Sequence, residues 1–349
     1  MLNPTDTTQA NNSNTSTLRP LGIGEILDIT FSLYRKHFRL FLGIAALHFS
    51  GNLVVYLLGR FLPNFPLKNW VTDLVDMPFG LISMGGIIVA TATIYLGKHI
   101  RSRDALQQAG HRFWQMLASH LPWSLVFVIP RTVVIFPLVY YALYTEIIES
   151  ISVVFVFARL TSVPFSIDLP MNWEVITYGL ISLVTRSGQR WIIFIPAVLA
   201  PFALYFAVRW MFASAVVLLE KPLIRRAFER SSELTRGRWW HVGGMLVSFA
   251  VLSFAIQRIV VGMIGFIFML TKAMGETTSM DILKWMIMYG TDSSNPLFYV
   301  IMWWINLIVG TLIFPIWIIG ITLLYFDLRI RKEGFDIEMQ VNNPDAMSI

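Results

Sequence analysis

The sequence predicts an all-α integral membrane protein. About six transmembrane helices form three hairpins, each preceded by a cytoplasmic amphipathic interfacial helix. Three observations carry this. First, 56% of the 349 residues are hydrophobic and 14% are charged, where soluble domains carry about a quarter charged residues. Mean hydropathy is +0.63. Second, six apolar stretches reach the roughly 20 residues that cross a bilayer: 38–62, 76–99, 116–144, 192–219, 240–270 and 297–326. Third, the connecting segments alternate in charge. One set, with Arg35, Lys98, Arg225 and Arg331 among its members, holds 17 of the 27 basic residues, and the other set holds 7. Basic residues collect on the cytoplasmic side, so both termini are expected there. The same bias accounts for a pI near 9.6 without nucleic acid as a partner.

Residues 1–18, rich in Asn, Ser, Thr and Gln, read as a disordered polar tail. They lack the basic and apolar regions of a signal peptide. The membrane domain runs over 19–338, and 339–349 form a second tail. Basic, helix-like segments ending in an aromatic precede the first, third and fifth stretches: Arg35 to Phe38, Gly110 to Trp114, and Arg236 to Trp240. Leu33, Arg35 and Gly43 match Leu234, Arg236 and Gly244 in spacing. Pseudo-repeats over about 19–99, 100–219 and 220–330 follow from this.

In the first segment Glu25, Asp28, Ser32, Arg35, Lys36 and Arg39 form one polar helical stripe. Acids lead and bases trail, as the helix dipole favours. The third sets Ile224, Ala227, Phe228 and Leu234 against Arg225, Arg226, Glu229, Arg230 and Glu233. Such helices lie in the interface with bases toward anionic headgroups. Two readings stand: elbows that orient the hairpins, or a platform for lipid headgroups or a protein partner. Glu25, Arg35, Glu220, Arg225, Arg226, Arg236 and Asp327 are the candidate residues of that face. For Glu220, Arg225 and Arg226 are the local candidate partners.

The outer segments are 63–75, 145–191 and 271–296. The long one holds an apolar run, Ile151 to Ala158, too short to span.

Chemistry is sparse. No cysteine is present, which removes thiol catalysis and disulfides. No zincin spacing, nucleophile elbow, phosphate loop or dinucleotide fingerprint occurs. Asp and Glu read as confined to connections and helix ends, which argues against a proton-coupled carrier or an intramembrane hydrolase. Neither an enzyme nor a cofactor is expected. The candidate intramembrane polar residues are His48, Arg131, Arg209 and Arg258, each inside an apolar stretch. On a straight helix Arg209 lies about 16 Å from Glu220, and a central arginine costs about 2.5–3.5 kcal/mol. Backbone carbonyls, water, a displaced Glu220 or an anion such as lipid phosphate would compensate it. Gly86, Ala90, Thr93 and Gly97 make a small-residue stripe suited to close helix contact.

Three stretches carry a resemblance. Arg19 to Asp28 reads Arg-Pro-Leu-Gly-Ile-Gly-Glu-Ile-Leu-Asp; a second stretch runs from Arg209 through Glu220 to Leu234-Thr-Arg-Gly-Arg-Trp; the third is Leu324-Tyr-Phe-Asp-Leu-Arg-Ile-Arg-Lys-Glu-Gly-Phe-Asp. Over 19–338 the chain resembles a bacterial multi-pass family labelled after the membrane domain of glycerophosphoryl diester phosphodiesterases. Named members fuse a soluble catalytic barrel to this part, and the barrel is absent here, so that activity is not carried over. The resemblance implies an inner-membrane protein of poorly defined role.

The expected function is therefore a non-enzymatic membrane scaffold or accessory subunit acting through lipids or partner proteins. The rival is a transporter or lipid-handling protein with an anion-binding cavity around Arg131 and Arg209.

Overall fold

The computed structural model describes residues 20–61, 68–122, 194–270 and 296–334. Every regular element among them is a helix. In chain order they are α1 (Ile23–Lys36), α2 (Phe38–Phe61), α3 (Lys68–Tyr95), α4 (Ser102–His111), α5 (Phe194–Trp210), α6 (Ala213–Leu219), α7 (Ile224–Thr235), α8 (Trp239–Leu270) and α9 (Pro296–Glu333). Residues 113–122 are also helical.

Four of these are long and apolar enough to cross a membrane: Phe38–Gly59 in α2, Leu74–Tyr95 in α3, Trp239–Ile264 in α8 and Trp303–Glu333 in α9. The two tails, 123–193 with Arg131 and the run from Ile151, and 271–295 lie outside the described residues.

Local chemistry sets the helix ends. The Gly22 N–H donates to the Glu25 carboxylate at 2.9 Å, so Glu25 reaches back over the first turn of α1. A hinge at His37, φ −115°, separates α1 from α2. At the end of α3, Gly97 takes φ 75°. Its N–H donates to Ile94 O, and that of Lys98 to Thr93 O. This left-handed cap suits glycine. Gly97 thus terminates the helix and leaves the expected packing stripe, with nothing near its missing Cβ.

Of the rest of that stripe, Gly86 and Ala90 are buried and Thr93 is half-buried. A Cβ on Gly86 would lie 3.0 Å from Ile44 of α2 and 3.1 Å from Leu106 of α4. Helix α3 is the hub, packed on α2, α4, α6 and α9. Overpacking a well-filled core costs about 1–3 kcal/mol. Gly86→Leu is expected to lower the thermal midpoint in detergent, whereas Gly110→Leu, where a Cβ meets nothing, leaves it unchanged. Equal midpoints for the two variants would remove this face from the core.

Two expectations are corrected. The apolar stretch 192–219 is not one straight helix, because it breaks at Met211–Phe212 between α5 and α6. A break frees backbone groups that need partners away from water. Ser231 of α7 supplies them: its Oγ donates to Arg209 O at 2.8 Å and accepts from Phe212 N–H at 3.2 Å. Nor does α1 lie flat in the interface. Leu21 meets Asp327, and the Tyr34 hydroxyl donates to Leu312 O at 2.9 Å. Fifteen residues of α9 span about 22 Å, close to the length of α1, so α1 runs antiparallel along α9. Burial pushes the Tyr34 hydroxyl up to about 12, which keeps it a donor.

Candidate functional site at the charged end of the bundle

The last turns of α9 gather Tyr325, Asp327, Arg329, Arg331, Lys332 and Glu333. Asp327 with Arg331, and Arg329 with Glu333, are four apart, so each pair shares one helix face. Asp327 is fully buried. Its carboxylate accepts the Leu21 N–H at 2.7 Å and Arg331 Nε at 2.9 Å to both oxygens. Arg331 in turn donates to Leu21 O at 2.6 Å. The backbone of Leu21 is thus held at both its donor and its acceptor. His241 of α8 brings Nε2 within 3.4 Å of Asp327.

A second knot centres on Arg230 of α7. Its Nε donates to Glu220 at 3.0 Å, and its terminal nitrogen lies 2.6 Å from Glu333. Burial opposes this charge, but the hydrogen bonds and charges of Glu333 and Glu220 outweigh it and hold the guanidinium above its ordinary value. Glu220 also accepts the Tyr325 hydroxyl at 2.7 Å, and Arg329 approaches it at 3.8 Å. Glu220 closes α6, and Lys221 after it adopts φ 59°, a left-handed turn that starts the chain back into α7. Lys332 Nζ donates to Glu233 O and Arg236 O, which caps the carbonyl end of α7. Arg112 does the same for α6 through Val217 O at 3.2 Å. The joint therefore locks α1, α6, α7 and α9 together by charge-assisted bonds.

Of the residues expected on this face, Glu220 and Asp327 lie in the joint. Arg225 and Arg226 do not partner Glu220: both bridge to Glu229, at 3.2 and 3.6 Å. They begin α7 and point outward, whereas Arg230, little more than one turn on, faces α6 and α9. Arg35 and Arg236 are exposed, and the Arg236 carbonyl accepts from Lys332. Exposed pairs such as those to Glu229 are worth little. Leu223 and Trp240, each 84% exposed, and Trp114, 77% exposed, belong to the same group of basic segments. Tryptophan and arginine side by side characterise a membrane–water interface.

The residues expected within the membrane scatter. Arg209 Nε donates to Ser232 of α7 at 2.9 Å, and its terminal nitrogen to the Tyr205 hydroxyl at 2.8 Å. It has polar partners on protein, one of them from the amphipathic helix. Arg258 stacks over Phe254, 4.7 Å from the ring centroid. His48 is buried and stacks on Phe314 at 4.5 Å. These three do not form one site.

A carboxylate was also missed. Asp76 lies within α3 and is buried, and a Cβ on Gly51, midway along α2, would lie 2.6 Å from its Oδ1. Asp76 thus lies inside α3, which begins at Lys68, but it is the third residue of the apolar span Leu74–Tyr95 and so stands near the end of that span. The signal was available: Gly51 clears the space for an acid on the facing helix. Among the described residues no group of three or more His, Asp or Glu could hold a metal ion.

Compared with family models, curated proteins and solved structures, the chain matches none.

Proposed function

We propose that this is a non-enzymatic multi-pass membrane protein that acts through lipids or partner proteins at its charged end. In this reading the protein has six spans in three hairpins and sits in a bacterial inner membrane, with both termini cytoplasmic. The family that its ends and middle segment resemble is of the same type. The observation that supports the reading is the division of labour at the charged end. Glu220, Asp327 and Glu333 are taken up by Arg230, Arg329 and Arg331, while Arg225 and Arg226 at the start of α7 stand exposed, as do Leu223 before it and Trp240 after it. A rigid joint thus presents a basic and aromatic rim to anionic headgroups.

Each basic residue at an anionic surface contributes about 1 kcal/mol. Arg225→Glu with Arg226→Glu should therefore weaken retention of phosphatidylglycerol by roughly 30-fold or more. Native mass spectrometry of the purified protein reads this, and unchanged retention refutes the lipid-binding role. Orientation is tested separately. The chain has no native cysteine, so a cysteine at Asn12 or Ser348 should resist an impermeant thiol reagent in intact cells. Labelling there overturns the cytoplasmic assignment.

A further inference from the structure

Away from the charged end, α2, α8 and α9 line a half-open cavity of about 240 Å³. Its polar lining comes from all three helices: His48 and Asn52, Ser253 and Gln257, Asn306 and Thr311. All six fall within segments apolar enough to cross a membrane, where a polar group needs a partner other than water. Some partners lie within the set. Gln257 Nε2 donates to Asn306 Oδ1 at 3.3 Å. Asn52 Nδ2 donates to His48 O at 3.1 Å, and Thr311 donates to Leu307 O at 2.7 Å. A primary amide has two N–H donors and an oxygen with two lone pairs, so a single bond leaves Gln257 with capacity for more.

Four of the remaining lining residues are aromatic, Phe254, Trp303, Phe314 and Trp317, and the others are Leu307, Gly310 and Ile313. Two of these rings are fixed in place. Trp303 stacks on Tyr56 at 3.9 Å, and Phe314 on His48. Among the described lining residues none is Lys, Arg, Asp or Glu. A buried ion without a counter-charge is strongly disfavoured, so phosphate and ammonium groups do not fit. Neutral donors and acceptors beside rigid flat rings fit a group with a hydroxylated rim and a C–H face. The volume is below the roughly 300–1,000 Å³ of pockets for drug-sized ligands, and suits one ring or a short chain.

We infer that this cavity binds an uncharged polyhydroxylated group, a single sugar ring or a polyol. It arrives either as a free molecule or as the headgroup of a neutral glycolipid. For a lipid, the acyl chains have an apolar flank available on α8, where Val247, Val251 and Phe254 are exposed. The site is independent of the charged end, and neither reading depends on the other.

The test uses the full chain in phosphatidylcholine nanodiscs, prepared without sugar-headed detergents, with the thermal midpoint as readout. A ligand that binds only the folded state raises that midpoint with concentration. Monoglucosyl diacylglycerol should raise it by several degrees, and diacylglycerol with the same chains should not. A rise with free glucose alone also supports the site and identifies a soluble ligand. Gln257→Leu with Asn306→Leu removes both partners of one hydrogen bond, a change that is nearly neutral for stability. It should raise the half-saturating ligand concentration by about tenfold. If that variant does not fold, Ser253→Leu, which fills the cavity from α8, should do the same. The inference is overturned if diacylglycerol protects as well as its glucosyl form, if phosphatidate protects better, or if neither glucosyl lipid nor glucose shifts the midpoint.

Discussion

Asp327→Ala is expected to be the most damaging single substitution at the charged end. The carboxylate is fully buried and serves Leu21 N–H and Arg331 together. Removing one partner of a buried ion pair costs about 3–5 kcal/mol, because the other charge is left uncompensated. For a chain of this size that corresponds to a fall of roughly 5–10 °C in the thermal midpoint. Asp327→Asn separates the two roles. Its amide oxygen can still accept from Leu21, but it no longer neutralises Arg331, so an intermediate loss is expected. Thermal unfolding of the three proteins in one detergent decides it. A wild-type midpoint for the alanine variant would mean the clamp contributes nothing.

Arg230→Ala should come next, with a loss of about 2–4 kcal/mol. The residue bridges Glu220 on one side and Glu333 on the other. Arg329 remains near both acids, at 3.8 and 3.2 Å, and softens the loss. Arg230→Lys should recover little, because an ammonium is a point charge and lacks the fork that reaches two carboxylates. A double-mutant cycle with Glu220→Gln gives the coupling directly. The glutamine keeps an acceptor for Tyr325 while it removes one of the stranded charges. The double variant should therefore be less destabilised than the sum of the two single changes. Strict additivity would show that the two side chains do not communicate.

The long helices were legible because a bilayer demands continuous apolar runs. Helices α2, α8 and α9 fall on such runs, and the small residues Gly86 and Ala90 marked the packed face of α3. What escaped depends on contacts distant in sequence. The stretch through Arg209 is uniformly apolar, and nothing local announces a break at Met211–Phe212. The break is tolerated because Ser231, from the next helix, bonds both sides of it. Glu220 was matched by proximity with Arg225 and Arg226, but the turn at Lys221 carries those two outward and brings Arg230 inward. Asp76 was read as a helix end because the apolar run starts there, whereas α3 begins earlier, at Lys68. The sugar-sized cavity needed three helices to meet, and only His48 among its polar residues stood out in the sequence.

The bond between Leu21 and Asp327 also orders events in time. These residues are 306 positions apart, and a ribosome adds about 5–20 residues per second. Roughly 15–60 s thus pass between the emergence of the first helix and the synthesis of the residues that fasten it. Throughout that interval the face of α1 that packs on α9 has no partner from its own chain. The closing of this seam marks the arrival of α9, and a chain interrupted before Asp327 leaves α1 undocked.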